Sequence, residues 1–210
     1  MVDEMERKVL LLLSGGIDSP VAGKILLDND FEVIALHFSL EPFTDDSAKR
    51  KSIVIARKLG IKRVFAIKCG NEHAKIVEAC KHKYYYIISR RMMLRIAEII
   101  AKQENCRFIC TGDNLGQVGS QTLENLDVIS RAIEMQILRP LLTNDKIETI
   151  QLAKEFGTYE ISIGPEMCSV LGPKHPATKS RIEVIEEEEE KVDMQGLISE
   201  QLKNIEVIKI

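Results

Sequence analysis

The 210-residue chain predicts an α/β fold, a doubly wound parallel sheet with helices on both faces. Three observations predict it. Short, unbroken apolar runs recur along the chain, as strands buried on both faces of a parallel sheet require. Stretches with helical spacing of apolar residues separate these runs. The first run, Val9-Leu10-Leu11-Leu12-Leu13, passes straight into Ser14-Gly15-Gly16-Ile17-Asp18-Ser19-Pro20, and beyond it Val21, Ile25 and Leu26 share one helical face. A strand, a glycine turn and a helix start thus follow one another directly. In open α/β sheets, ligands sit beyond the carboxyl ends of the strands.

The remaining elements follow in order. Asp28-Asn29-Asp30 marks a turn, and 31–38 reads as a second strand ending in His37 and Phe38. Those two residues are candidates for the wall of a ligand site; a satisfied strand-end histidine is the alternative for His37. Asp46 or Ser47 caps a helix over 47–60, with Ile53, Ala56 and Leu59 on one side and Gly60 as its stop. Its basic positions, Lys49, Arg50, Lys51, Arg57 and Lys58, make either an RNA contact or a solvated face. A third strand spans 63–68. Residues 71–105 form one long helix or two, with Met92, Ile96, Ile99 and Ile100 as a core stripe and Arg90 and Arg91 a turn ahead of it. Tyr84, Tyr85 and Tyr86 suit packing or base stacking. Residues 107–111 give a fourth strand, and 133–138 a fifth. Asp145 caps a helix over 146–156 that turns Ile147, Ile150 and Leu152 inward, and Gly157 ends it. The glycine- and proline-rich stretch 159–180 reads as an active-site loop containing Cys168. The acidic run 186–190 reads as a solvated helix or linker. The last residues, 205–210, alternate like an edge strand.

Composition narrows the function classes. Hydrophobic residues make up 45% and charged residues 29%, which suits a globule with a real core. A net charge of −3 gives no overall attraction to polyanions, so any nucleic-acid contact needs a local basic patch. No apolar run approaches the roughly 18 residues of a membrane span, so no membrane partner is expected. Residues 1–7 are charged, unlike a signal peptide, and the expected location is the cytoplasm. Five cysteines at irregular spacing form no disulfide framework, and without a C-x-x-C pair a structural zinc site is not expected.

The turn after the first strand carries the chemistry. Gly15 and Gly16 let the backbone approach phosphate oxygens, Ser14 and Ser19 add hydroxyl donors, and a helix N-terminus faces the anion. Two familiar phosphate motifs do not fit. No lysine stands where G-x-x-x-x-G-K-[ST] requires it, and G-x-G-x-x-G is absent. The pattern S-G-G-x-D-S resembles the signature of the PP-loop ATP pyrophosphatases. Those enzymes split ATP between the α and β phosphates and adenylate a carbonyl oxygen.

Two further stretches narrow the resemblance. Thr111-Gly112-Asp113-Asn114-Leu115-Gly116-Gln117-Val118-Gly119-Ser120-Gln121-Thr122-Leu123 resembles the T-G-E-S-L-G-Q-V-x-S-Q-T-L block of the tRNA 4-thiouridine synthetases (tRNA uridine 4-sulfurtransferases). Ile137-Leu138-Arg139-Pro140-Leu141, Asp145-Lys146 and Pro165-Glu166-Met167-Cys168 are similar to that family's I-L-R-P-L, D-K and P-E-x-C elements. The resemblance implies a Rossmann-like sheet of the adenine nucleotide alpha-hydrolase type. It implies ATP at Leu12, Leu13, Ser14, Gly15, Gly16, Ile17, Asp18, Ser19, His37, Phe38, Gly112, Gln121 and one arginine, Arg90 or Arg91. It implies Mg²⁺ on Asp18 and Asp113, with Asp18 and Cys168 catalytic. The implied reaction adenylates the C4 carbonyl of a tRNA uridine and transfers sulfur from a persulfide-carrying donor, giving 4-thiouridine, AMP and pyrophosphate. Cys168 would then form a disulfide with the carrier or with a distant cysteine such as Cys110, or hold the persulfide itself. The other four cysteines are expected to be packing residues.

The chain departs from the family at Asp113-Asn114, where Glu-Ser is usual, and at Leu171, where some members carry a second cysteine. The family's ferredoxin-like, THUMP and rhodanese parts have no counterpart in the sequence. The expectation is therefore a stand-alone catalytic domain over 1–180, with 181–210 packed on it and a separate RNA-binding protein as partner. The oligomeric state is left open. Two rival readings remain: adenylation of a small-molecule carbonyl, and a non-catalytic nucleotide-binding subunit.

Overall fold

The computed structural model describes residues 7–164 and 170–210. The strands are β1 (Lys8–Leu12), β2 (Glu32–Ser39), β3 (Arg63–Lys68), β4 (Phe108–Cys110), β5 (Ile137–Leu138) and β6 (Glu206–Lys209). Among the described residues they form one sheet in the order β5-β4-β1-β2-β3-β6. Every pairing is parallel except that of β6, which runs antiparallel to β3 at the edge. From β1 the chain winds outward through β2 and β3, then returns to place β4 on the other side of β1. The order of winding reverses there, so the ligand crevice of this topology opens between the carboxyl ends of β1 and β4.

Nine helices cover the two faces: α1 (Asp18–Asp28), α2 (Ser47–Leu59), α3 (Gly70–Ala79), α4 (Tyr85–Gln103), α5 (Leu123–Ser130), α6 (Lys146–Glu155), α7 (Tyr159–Ser162), α8 (Ile182–Glu189) and α9 (Met194–Lys203), counted among the described residues. Side chains alternate across a strand, and β1 shows it directly. Val9 and Leu11, with Leu13 beyond the strand end, enter a core built with Val21, Ala22 and Leu26 of α1 and Ile55 and Ala56 of α2. Leu10 enters the opposite core with Ile87, Ile88, Met92 and Ile96 of α4, and Leu12 packs against it. The doubly wound sheet is therefore as the sequence predicts.

Local signals hold at several ends. Gly60 closes α2 with φ +79°, a left-handed conformation that suits glycine. Asp145 starts α6 with a capping box, accepting from the Ile147 N–H while the Glu148 carboxylate accepts from the Asp145 N–H. The long region after β3 is two helices, separated by a short 3₁₀ turn over His82–Tyr84. The tail adds α8, α9 and β6 to the same core and sheet, with Ile185, Leu197 and Ile198 buried against α4's side.

Two expectations are corrected. Ile147 does not turn inward: it is 75% exposed, while Thr149 and Ala153 form the buried positions of α6. The capping box sets the phase of the helix, and that phase carries Ile147 to solvent. The acidic run is not simply solvated either. Glu188 and Glu189 are buried. Glu189 receives Arg91 Nε at 2.7 Å and Arg95 NH2 at 2.7 Å. Glu188 receives the Lys81 backbone N–H at 2.8 Å and Lys191 Nζ at 2.8 Å. Burial raises the Glu189 carboxyl, but both arginines more than offset this and hold it below the usual range.

His73 of α3 is also buried, with Nδ1 2.9 Å from the Tyr85 hydroxyl. Burial pushes its pKa down to about 4. An unfolded histidine takes up its proton near pH 6.5, so below that value the unfolded state binds more protons than the folded one. Stability is therefore expected to fall on acidification from pH 6.5, with His73 contributing a loss on the order of 2 kcal/mol by pH 4.5. Denaturant unfolding across this range should show that slope, and His73→Gln should flatten it. A slope unchanged by the substitution would refute the assignment.

Candidate functional site at the ends of β1 and β4

The loop after β1 is tied by its own hydroxyls. Ser14 N–H donates to Ser19 Oγ at 3.0 Å, the two Oγ atoms lie 3.0 Å apart, and Gly16 N–H donates to Ser14 Oγ at 3.2 Å. The Ile17 side chain does not cap α1, and a helix N-terminus at this place favours an anion. Gly15 has φ +81°, and a Cβ there would lie 3.0 Å from the Ala48 carbonyl oxygen. Only glycine gives this turn without strain.

The loop after β4 lies directly on this turn. A Cβ on Gly112 would stand 2.7 Å from Ser19 N and 2.8 Å from the Asp18 carbonyl carbon. Two backbones touch here, which explains the glycine better than a ligand contact alone. Gln117 Nε2 donates to Asp18 Oδ2 at 3.3 Å. Gln121 closes the loop, its carbonyl accepting from Gly116 N–H at 2.9 Å. Its side-chain Oε1 is buried with no partner among the described residues, as an acceptor awaiting a ligand or water would be.

The other expected residues divide. Leu12 and Leu13 point into opposite cores, so only their backbones face the crevice. His37 turns its ring beneath the loop, and Nδ1 lies 2.8 Å from the Leu13 carbonyl oxygen. With Nδ1 donating, Nε2 is a bare acceptor, buried and unpartnered among the described residues. Burial lowers its pKa and keeps it neutral. The ring thus props the entry to residues 14–19. Phe38 packs against the other core, on the α4 side.

The two arginines are placed differently. Arg91 is buried in the Glu189 pair, whereas Arg90 reaches the site and pairs with Asp113. The expectation that Asp113 ligates Mg²⁺ meets a carboxylate already engaged on both oxygens. Oδ1 takes Arg90; Oδ2 takes the Thr111 hydroxyl at 2.8 Å and Arg139 Nε at 3.2 Å. Burial raises its pKa, but the charge and hydrogen bond of Arg90, the Thr111 hydroxyl and the Arg139 charge outweigh this and keep it ionised. Arg139, Thr111 and Gln117 join the site here, and no local pattern in the sequence marks what they face. The I-L-R-P-L run placed Arg139 in the family pattern without showing what it faces.

Cys168 lies outside the described residues. The other cysteines, Cys69, Cys80, Cys106 and Cys110, are all buried. Burial pushes the Cys110 thiol far up and Cys106 to about 11. Such thiols carry almost no thiolate at neutral pH. Cys110 is therefore corrected from a possible disulfide partner to a packing residue of β4.

Fold and site define an α/β protein of the adenine nucleotide alpha-hydrolase type, with a PP-loop at the carboxyl end of its first strand. Residues 4–194 match the family described as thiamine biosynthesis protein (ThiI), and the chain belongs to that family. A probable tRNA sulfurtransferase of Alkaliphilus oremlandii is 41% identical over 209 residues, 97% of this chain and 53% of the relative. One from Moorella thermoacetica is 42% identical over 207 residues, 96% and 53% of the two chains. The chain thus spans about half the length of the curated relatives it matches. A crystal structure of a 4-thiouridine synthetase–RNA complex with bound ATP superposes with a TM-score of 0.92 at 40% identity, covering 97% of this chain and 55% of that one. The NMN synthetase of Francisella tularensis, with a TM-score of 0.60 and 16% identity, shares the fold alone. No helix among the described residues is long and apolar enough to cross a membrane.

Proposed function

We propose that the chain is an ATP-dependent sulfurtransferase domain that adenylates the C4 carbonyl of a tRNA uridine and replaces its oxygen with sulfur. The carrying observation is the cradle at residues 14–19, closed by Gly112 on the α1 N-terminus, in a chain 40% identical to a 4-thiouridine synthetase. The uridine oxygen is a poor leaving group. Its attack on the α-phosphorus of ATP breaks the bond to the β-phosphate and turns that oxygen into part of AMP. The backbone N–H groups of the loop and the start of α1 hold the phosphates in line and offset the charge that builds on pyrophosphate. Sulfur then attacks C4, and AMP leaves.

Mg²⁺ fits the donor set. One carboxylate, Asp18, stands at the cradle, and this ion is commonly held by one or two carboxylates together with substrate phosphates. When bound, it supplies charge neutralisation on the phosphates. Asp113 is withdrawn from that role, because a metal there would have to displace two guanidinium groups. Cys168 is the residue we assign to the donor persulfide: once the persulfide's outer sulfur has bonded to C4 and AMP has left, the Cys168 thiolate attacks the carrier cysteine's Sγ, forms a disulfide with the carrier and releases the outer sulfur as that of 4-thiouridine. We further propose that 181–210 belongs to the same domain as 1–180, and that tRNA and a persulfide donor are the partners.

Purified protein with ATP, Mg²⁺, sulfide and unmodified tRNA is expected to release pyrophosphate and AMP in step with the absorbance of 4-thiouridine. ADP and phosphate as products would overturn the reading. Pyrophosphate release driven by a small carbonyl compound without RNA would favour small-molecule adenylation. ATP binding with no turnover would favour a nucleotide-binding subunit.

A further inference from the structure

We propose that Asp113 and Arg139 are positioning residues that hold Arg90 as the phosphate-facing cation of the site; this rests on the nucleotide reading above. Asp113 sits in the loop after β4, 4% exposed. Arg90 comes to it from α4 and Arg139 from the segment after β5. Arg139 is fixed from its far side, NH2 donating to Ser130 Oγ at 2.8 Å. Two guanidinium groups against one carboxylate leave one net positive charge. Its least buried member is Arg90: the side chains of Arg90, Arg139 and Asp113 are 23%, 15% and 5% exposed.

Among the described contacts, Arg90 engages Asp113 through NH2, so Nε and the second amino group remain for a phosphate fork. The cluster adjoins the cradle, because Gly112, the residue before Asp113, abuts the backbone of Asp18 and Ser19. Without the carboxylate, two neighbouring guanidinium groups repel and the long Arg90 side chain loses its anchor. Arg139 acts at one remove: it compensates Asp113 and fixes the carboxylate that in turn fixes Arg90.

A double-mutant cycle on ligand affinity tests this. MgATP and adenosine are titrated by calorimetry into wild type, D113N, R90Q, D113N/R90Q and D113E. We expect D113N to weaken MgATP by about tenfold while adenosine changes by less than about twofold. D113E should recover most of the loss, since it keeps the charge. D113N/R90Q should bind MgATP no more weakly than R90Q alone, because Asp113 acts through Arg90. Additive losses, or equal losses for adenosine and MgATP, would reduce Asp113 to a structural residue. If D113N does not fold, R139Q carries the cycle with R90Q under the same criterion, since Arg139 holds Asp113 through Nε and is itself held by Ser130 Oγ. Wild type that binds no MgATP would instead refute the nucleotide reading itself.

Discussion

Replacing Gly16 with valine is expected to weaken MgATP binding by about a hundredfold or more while leaving the fold intact, and it is the sharpest test of the cradle. Among the described residues a Cβ at Gly16 meets only Ser14 Oγ, at 3.4 Å, and no positive φ is required there. The side chain would enter the space above the loop, where phosphate oxygens approach. A hundredfold is about 2.7 kcal/mol, the scale of one or two lost charge-assisted hydrogen bonds. Stability should change by no more than about 0.5 kcal/mol, as for other substitutions that touch no packed neighbour. Gly112→Ala is the contrast: its methyl group meets backbone at 2.7 Å, so both the fold and the site must yield. Titration calorimetry with thermal melts separates the two effects. A folded Gly16→Val protein with wild-type affinity would remove the phosphates from residues 14–19.

Much of this site was legible because its signals are local. A buried run of five apolar residues, two glycines and a helix start lie within a dozen positions. They fix the loop after β1 whatever the rest of the chain does. The loop after β4 was legible for the same reason. What escaped the sequence depends on pairs far apart in the chain. Asp113 reads as a lone carboxylate near phosphate, hence as a metal ligand, until Arg90 and Arg139 arrive from 23 and 26 positions away. His37 reads as a ligand wall, yet its ring meets the Leu13 carbonyl 24 residues upstream. Apolar spacing alone put Ile147 inside, while the hydrogen bonds of one capping box set the helix phase otherwise. The same limit explains the acidic run, since five successive glutamates give no sign that Glu189 meets two arginines and Glu188 two lysines.

Glu189→Ala is expected to cost about 3–5 kcal/mol, because it removes the close partner of a buried ion pair and leaves Arg91 with the exposed Glu186 at 3.9 Å. For a domain of this size that is a fall of about 10 °C in Tm. Arg91 is 2% exposed, and its Nε and NH2 donate to both oxygens of Glu189, at 2.7 and 3.2 Å. Its remaining amino group donates to the Val128 carbonyl in the last turn of α5, so the stranded cation would also loosen that helix end. Arg95 shares Glu189 but is partly exposed and can turn to solvent. Glu187 and Glu190, in the same run, are exposed, and alanine at either should change stability by no more than about 0.5 kcal/mol. Chemical denaturation of the three variants distinguishes a solvated acidic face, which predicts equal small effects, from a clamp at one position. The clamp matters to the site as well. Successive residues of a helix point about 100° apart, so pinning Arg91 inward against α8 turns Arg90 toward Asp113. A Glu189→Ala protein as stable as the Glu187 and Glu190 variants would show that α8 does not anchor α4.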